Sequence, residues 1–169
     1  MAQQTQNSSL IGANLSTDDP TALFALGTVA SATDGCRYQY VLATSTLVTG
    51  ALVLVTPAGT AELLLTAKLT ANAKGYAIAA AQNIISQSQY GWVAEHGRNL
   101  YVLCTGTITA ASGDGAAFSA NSGRLQNAPA CGVGQTALGI FITTSASTAT
   151  ASVAIATLTW PRGVTPPIS

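Results

Sequence analysis

Short runs of alternating or β-branched residues, each ended by a turn that contains glycine, recur along this chain. Such alternation places successive side chains on opposite faces of a strand, and the helical period of apolar residues is almost absent. Many short strands separated by glycine turns are typical of antiparallel sandwiches and barrels. The sequence therefore predicts one all-β domain, either a single β-sandwich or jelly-roll or a small β-barrel.

The clearest hairpin signal is Asp34-Gly35, because this pair supplies the positive φ angles of a tight hairpin turn. Residues 24–29 alternate before it and residues 37–42 alternate after it. The sequence predicts a β-hairpin here, with Tyr38 and Tyr40 on the same face.

A central stretch, residues 89–103, holds many of the aromatic and charged side chains of the chain: Tyr90, Trp92, Glu95, His96, Arg98 and Tyr101. Residues 96–99 include a glycine and an asparagine, which favour a tight turn. The stretch is therefore predicted to be a second hairpin, with Trp92 and Tyr101 in the core and Val93 facing outward. Its three charged or titratable side chains would lie at the hairpin tip and make polar contacts.

Further strands are predicted at residues 52–55, 62–66, 76–81, 138–142 and 153–158, with a small hairpin around residues 121–124. Residues 61–73 leave a choice between a strand with one helical turn and a short helix capped by Thr60. The strand at residues 138–142 is apolar enough to be buried, and Trp160-Pro161 is expected to end the last strand.

Three regions are predicted along the chain. Residues 1–20 form an extended N-terminal arm, because they are polar and lack a core of their own. Residues 21–161 form the β domain, and residues 162–169, with Pro166-Pro167, form an extended C-terminal tail. We expect no signal peptide, since residues 1–16 lack a basic start and an apolar centre.

The charge content limits the partners of such a domain. Charged residues make up 7% of the chain, against about 25% in ordinary soluble proteins, and the net charge is +0. A neutral chain lacks the basic surface that nucleic acids and anionic membranes require, so neither is an expected partner. An uncharged Ser, Thr, Asn and Gln surface promotes association, which suits a subunit of an assembly.

No residue pattern supports catalysis or a cofactor. His96 is the one histidine and has no ligand motif around it, so a turn or contact role is favoured over metal binding. Residues 132–137 match the glycine pattern of nucleotide-binding loops, but a strand rather than a helix is expected after them. Cys36, Cys104 and Cys131 are predicted to be buried and reduced. We therefore predict a non-enzyme with no catalytic, cofactor-binding or metal-binding residues.

Spaced short motifs across residues 23–161 resemble the capsid decoration (cement) proteins of tailed bacteriophages. These motifs are Gly27-Thr28-Val29, Asp34-Gly35, Tyr38 with Tyr40-Val41, Tyr90-Gly91-Trp92-Val93, Gly97, Gly123-Arg124-Leu125 and Leu138-Gly139-Ile140.

This resemblance implies a small β-rich structural protein of the virion. It would bind the outer surface of an icosahedral shell, contact the major capsid protein and cement neighbouring subunits, after synthesis in the host cytoplasm. Members commonly form homodimers or homotrimers. The alternative is a non-catalytic β-sandwich binding module, carbohydrate-binding or adhesin-like, on a virion or cell surface, in which an exposed Trp92 could stack on a sugar.

Overall fold

The computed structural model of the protein is all-β, with no helix among the described residues. It describes residues 14–33, 35–65, 76–105, 116–118, 123–127, 137–144 and 152–163. Most of the predicted N-terminal arm, most of the predicted tail, Cys131 and the glycine pattern at 132–136 lie outside these residues.

Ten strands belong to one connected sheet. They are β1 (Val29–Ser31), β2 (Arg37–Ala43), β3 (Leu52–Val55), β4 (Thr60–Leu63), β5 (Ala77–Ala81), β6 (Tyr90–Cys104), β7 (Ala116–Phe118), β8 (Leu125–Asn127), β9 (Ala137–Thr144) and β10 (Ser152–Gly163).

Five of these strands close into a barrel. Around the ring, β2 pairs with β4, β4 with β3, β3 with β5, β5 with β6, and β6 again with β2. The β2–β4 pair is parallel and the other four are antiparallel. Of the two architectures that the sequence predicts, the structure therefore has the small β-barrel, and closure leaves the ring without an open sheet edge.

The barrel interior is filled by small apolar side chains from every strand of the ring. This cluster contains Val41, Ala43, Val53, Val55, Ala61, Ala79, Ala81 and Val93, with Leu47 and Ile85 from the loops. A five-stranded barrel is narrow, so valine and alanine are the residues that fit. Val93 was predicted to face outward; it is instead buried, because the inward face of β6 is the barrel interior rather than solvent.

One end of the barrel is closed by two loops. Leu47 and Ile85 form an isolated antiparallel bridge with mutual backbone hydrogen bonds of 2.8 and 2.9 Å, and both side chains are fully buried. A Cβ atom on Gly91 would come within 2.8 Å of the Ile85 Cδ1 atom. The glycine in β6 therefore leaves the space that the isoleucine fills.

A second and larger core covers the outer face of β2, β3, β5 and β6. Trp92 and Tyr40 lie at its centre, with ring centroids 5.0 Å apart, and Phe24 packs edge-on against both. The inward faces of β10 and β9 contribute Leu158 and Ile140. Trp92 is 1% exposed, as predicted for a core residue.

The predicted hairpin at residues 89–103 is wrong: β6 is one continuous strand of 15 residues. Its first half pairs with β2 and β5, and its second half pairs with β10. Two residues, Arg98 and Asn99, lie opposite the single Thr157 between the pairs Leu100↔Ala156 and Gly97↔Leu158. The glycine and asparagine that suggested a turn therefore belong to a β-bulge, which bends the strand without reversing it.

The other strand predictions are confirmed in part. The Asp34-Gly35 hairpin is confirmed, with Ser31 opposite Arg37, although β1 begins later than predicted. Of the two alternatives for residues 61–73, the structure has a strand, which begins at Thr60, and residues 66–73, where the helical turn was predicted, lie outside the described residues. β7 pairs with β8 as the small predicted hairpin. Trp160-Pro161 does not end the last strand, because β10 continues to Gly163, which pairs with Ala137 after a register shift.

β9 was predicted to be buried, but its two faces differ. Ile140 is buried and Phe141 is 59% exposed. The strand continues the sheet beyond β10, where only one face is covered by the larger core. Apolar composition alone did not distinguish a central strand from an outer one.

The last part of the predicted arm lies against the barrel. Leu15 is 3% exposed and belongs to the larger core. Asp19 forms a backbone bridge with Tyr90, with two hydrogen bonds of 2.9 Å. The Asp18 carboxylate accepts a 2.9 Å hydrogen bond from the Ser86 backbone N–H, which lowers the pKa of that carboxyl group.

Candidate functional site

The three polar residues at the centre of the chain do not form one site. Glu95, His96 and Arg98 lie along one extended strand, β6, rather than on a turn. Glu95 is buried, His96 is half-buried and Arg98 is exposed. The strand thus separates the groups that a hairpin tip would have brought together.

Glu95 instead pairs with a residue from another strand. The Arg37 Nε atom lies 3.3 Å from Glu95 Oε2, and the arginine side chain is 43% exposed. Burial raises the pKa of the Glu95 carboxyl above its ordinary value, while the Arg37 charge opposes that rise. Gln39, the next inward-facing residue of β2 after Arg37, has a buried Oε1 atom without a hydrogen-bond partner among the described residues. Arg37 and Glu95 therefore form a polar end of the barrel, opposite the end that Leu47 and Ile85 close.

The two described cysteines are free and buried, as predicted. Burial raises the pKa of Cys104 to about 11, so its thiol is protonated and unreactive near neutral pH. The Cys36 thiol donates to the Arg98 carbonyl oxygen at 3.6 Å. These side chains pack as small apolar residues.

Within the described part of the chain, no three His, Cys, Asp or Glu side chains are close enough to hold a metal ion. The glycine pattern at residues 132–137 leads into β9, a strand, as the sequence predicts. A nucleotide-binding loop would lead into a helix. The residues that the structure describes include no helix long and apolar enough to cross a membrane.

An exposed apolar surface lies on the second half of β6 and on β10 and β9, on the side of the sheet that faces away from the larger core. Opposite residues of an antiparallel pair share a face, and the pairs here are Leu103↔Val153, Tyr101↔Ile155 and Phe141↔Thr157. We call Tyr101, Leu103, Phe141, Val153 and Ile155 the apolar face. Tyr101 and Val153 are both 47% exposed, so Tyr101 is a surface residue and the prediction that it belongs to the core is wrong.

The apolar face itself contains no charged residue, and the exposed Arg98 lies opposite Thr157 at its edge. Thr143 and Thr157 lie on the same side of the sheet, and the Thr143 hydroxyl donates to the Ile155 carbonyl oxygen at 3.0 Å. Large exposed apolar groups that cluster, rather than occur singly, mark surfaces that bind other molecules. The sequence signal for this face was present in Tyr101 and Phe141, but the strand pairing was needed to bring them together.

One side chain ties the apolar face to the barrel. The Gln82 amide donates to the Tyr101 carbonyl oxygen at 3.1 Å and accepts from the Tyr101 backbone N–H at 2.9 Å. Gln82 directly follows β5, and its side-chain amide makes the two hydrogen bonds to β6 that the backbone of a longer β5 would make. The backbone beneath the apolar face is thereby held by both the barrel and β10.

No family model, no curated protein and no solved structure matches the chain.

Proposed function

We propose that this protein is a structural protein of the virion that binds the outer surface of an icosahedral phage capsid and cements neighbouring major capsid subunits. In this role it is not an enzyme and uses no cofactor. Its partners are the major capsid protein and other copies of itself, as a homodimer or homotrimer. Nucleic acid and membranes are not partners.

The observation that carries the proposal is the apolar face, set in a nearly uncharged surface. A free monomer gains nothing from exposing Tyr101, Phe141 and Val153, whereas a shell-bound subunit can bury them. The neutral chain adds no electrostatic repulsion between copies that are crowded on one shell. The spaced motifs that resemble phage decoration proteins support the same function.

Co-sedimentation with purified capsids tests the proposal. We expect the protein to pellet with shells at a fixed number of copies per capsomer, and imaging to show added density on the outer surface. Because the contact is apolar, binding should persist in about 0.5 M salt, where surface charge interactions are screened. A protein that stays in the supernatant at every shell concentration would contradict the proposal.

A carbohydrate-binding module is the second candidate. The burial of Trp92 removes the residue first considered for stacking on a sugar, but Tyr101 presents an exposed aromatic ring on the same strand. A glycan array would favour this function if it gave a positive hit that Tyr101→Ala abolished. The same variant, tested for capsid binding, separates the two candidates.

A further inference from the structure

We infer that residues 14–19 form a strap that detaches from the barrel as one unit, while the rest of the fold stays intact. Residues 20–22 are the hinge. The strap lies beside the start of β6, and its detachment uncovers the backbone of Tyr90. Only contacts within one chain are involved, so detachment goes beyond the proposed function and does not depend on it.

The strap is held to the barrel at few points. The Asp18 carboxylate accepts a hydrogen bond from the Ser86 N–H at 2.9 Å, and Asp19 exchanges two backbone hydrogen bonds of 2.9 Å with Tyr90. Leu15 adds one buried side chain. By contrast, β6 pairs with β2, β5 and β10 along its length. Segments with so few contacts open at a lower free energy than the core strands, so the strap can open while the barrel stays folded.

The hinge lies between two anchored points of the chain. Residues 20–22 are exposed and make no hydrogen bond with the described residues. Directly after them, the Leu23 N–H donates to the Tyr40 hydroxyl at 3.1 Å. The Phe24 ring then packs against Tyr40 and Trp92. Rotation at the hinge therefore lifts the strap without moving the aromatic residues that follow it.

The strap covers a stretch of β6 that β5 does not reach. β5 pairs with β6 at Val93 and beyond, but not with the residues before it. Tyr90 lies opposite Leu42 of β2 on one side and opposite Asp19 on the other. Detachment leaves the Tyr90 N–H and carbonyl groups at an open strand edge, where an extended segment of a partner can form the same two hydrogen bonds. Such a partner would favour the detached state.

Native-state hydrogen exchange of the full chain, followed by NMR, tests the inference. The amides of Asp19, Ser86 and Tyr90 report on the strap, because their hydrogen bonds join it to the barrel. The controls are the amides of Leu47 and Ile85, which bond to each other at the closed end of the barrel. Ile85 directly precedes Ser86, so the comparison includes two neighbouring amides. We expect the strap amides to share one protection factor, at least about tenfold lower than that of the controls.

Low concentrations of urea distinguish detachment from unfolding. Detachment exposes little surface, so exchange of the strap amides should hardly change with urea, whereas exchange of the controls should rise steeply. If the strap amides and the controls have the same protection and the same urea dependence, the strap opens only when the barrel unfolds, and the inference is wrong.

Asp18→Asn tests whether the strap moves as one unit. It removes the charge that the Ser86 N–H contacts, so exchange at Asp19 and Tyr90 should become about two- to fivefold faster, although their own hydrogen bonds are unchanged. Thr17→Ala is the matched control, because Thr17 is an exposed residue of the strap, and it should leave these rates unchanged. An effect of Asp18→Asn that is confined to Ser86 would overturn the inference.

Ile85→Val tests whether the barrel stays folded when the strap opens. It shortens a buried side chain at the closed end of the barrel, so exchange at Leu47 should become about three- to tenfold faster. The detached state keeps the folded barrel, so exchange at Asp19 and Tyr90 should stay within about twofold of the wild type. Equal acceleration at Leu47 and at the strap amides would show that both depend on global unfolding, which contradicts the inference.

Discussion

At the scale of single residues, Glu95 shows how a polar group is accommodated at the end of a narrow barrel. Its carboxylate is 3.3 Å from the Arg37 Nε atom, yet burial has the larger effect on its pKa, which is raised. The folded state therefore binds a proton more readily than the unfolded chain at this site, and the charged form reduces stability. The arginine is partly exposed, so solvent weakens the compensation that it provides.

Glu95→Gln should change the pH dependence of stability. Because the folded pKa is raised, the favourable contribution of protonated Glu95 is complete below 4.5, the ordinary pKa, and is lost as the pH rises through the folded value. We expect the variant to match or exceed wild-type stability at pH 7 by up to about 1 kcal/mol, and this advantage to shrink towards pH 4. Urea unfolding at a series of pH values measures the difference, and a wild type that gains stability over the variant with rising pH would contradict it.

Gly97→Ala should be strongly destabilising. Gly97 has a φ of +148°, and a Cβ atom there would lie 2.9 Å from the Cys36 Cβ and 3.0 Å from its Cα. The backbone at Cys36 cannot move aside cheaply, so we expect a loss of about 2–4 kcal/mol in the free energy of unfolding.

Gly35→Ala is the control for that substitution. Gly35 also has a positive φ, +80°, but no atom lies within 4 Å of the position that a Cβ would occupy. We expect a loss of about 1–2 kcal/mol in the free energy of unfolding, from the strained backbone conformation alone. Equal losses at the two positions, measured by chemical denaturation, would mean that the contact with Cys36 does not constrain Gly97.

At the scale of elements, β6 joins the two parts of the molecule. Its first half belongs to the closed barrel, and its second half carries β10 and, beyond it, β9. The bulge at Arg98 and Asn99 lies between these halves, and Asn99 has a φ of +58°. A bulge strengthens the local twist of a strand, so this one redirects β6 where it leaves the barrel.

Gln82→Ala should weaken the link between the barrel and the second half of β6. The substitution removes both hydrogen bonds to the Tyr101 backbone, and a loss of about 1–2 kcal/mol is expected. Gln82→Glu keeps an acceptor for the N–H group but loses the donor, so it should also be destabilising.

Gln87→Ala is the matched control, because it makes the same substitution at an exposed position in the same loop. It should stay within about 0.5 kcal/mol of the wild type in urea unfolding. If Gln82→Ala behaves like Gln87→Ala, the Gln82 amide does not contribute to the link.

At the scale of the whole molecule, the described end of the predicted arm belongs to the fold. Leu15 belongs to the larger core, and Asp18 and Asp19 bond to the loop and strand at Ser86 and Tyr90. These contacts contribute to the fold itself. We propose that the polar remainder of the arm, residues 1–13, which lies outside the described residues, binds a shell or a neighbouring copy.

Deletion of residues 2–13 should leave the melting temperature unchanged and reduce capsid binding. The retained segment keeps every described contact of Leu15, Asp18 and Asp19. Leu15→Ala in the full chain is the opposite control: it should cost about 2–4 kcal/mol of stability, since a buried leucine is truncated. If the deleted protein decorates shells as well as the full chain does, the arm has no role in binding.

How far the sequence could predict this structure depends on whether a signal was local. The Asp34-Gly35 hairpin, the strand after Thr60 and the burial of Trp92 all followed from short patterns, and each is confirmed. Alternation and glycine turns also determined that the chain is all-β, because they act through backbone conformations within a few residues. The low charge was likewise readable without a structure.

Only the tertiary structure decided how those strands pair and which of their faces are buried. Glycine and asparagine at residues 97 and 99 suit a turn and a bulge equally well, and only the pairing of β6 with both β2 and β10 selects the bulge. Barrel closure buries Val93 on a face that alternation assigned to solvent, and the outer position of β9 exposes Phe141 in a strand that composition assigned to the core. Which face of a strand is buried depends on partners far away in sequence, so a local pattern predicts the strand but not its surroundings.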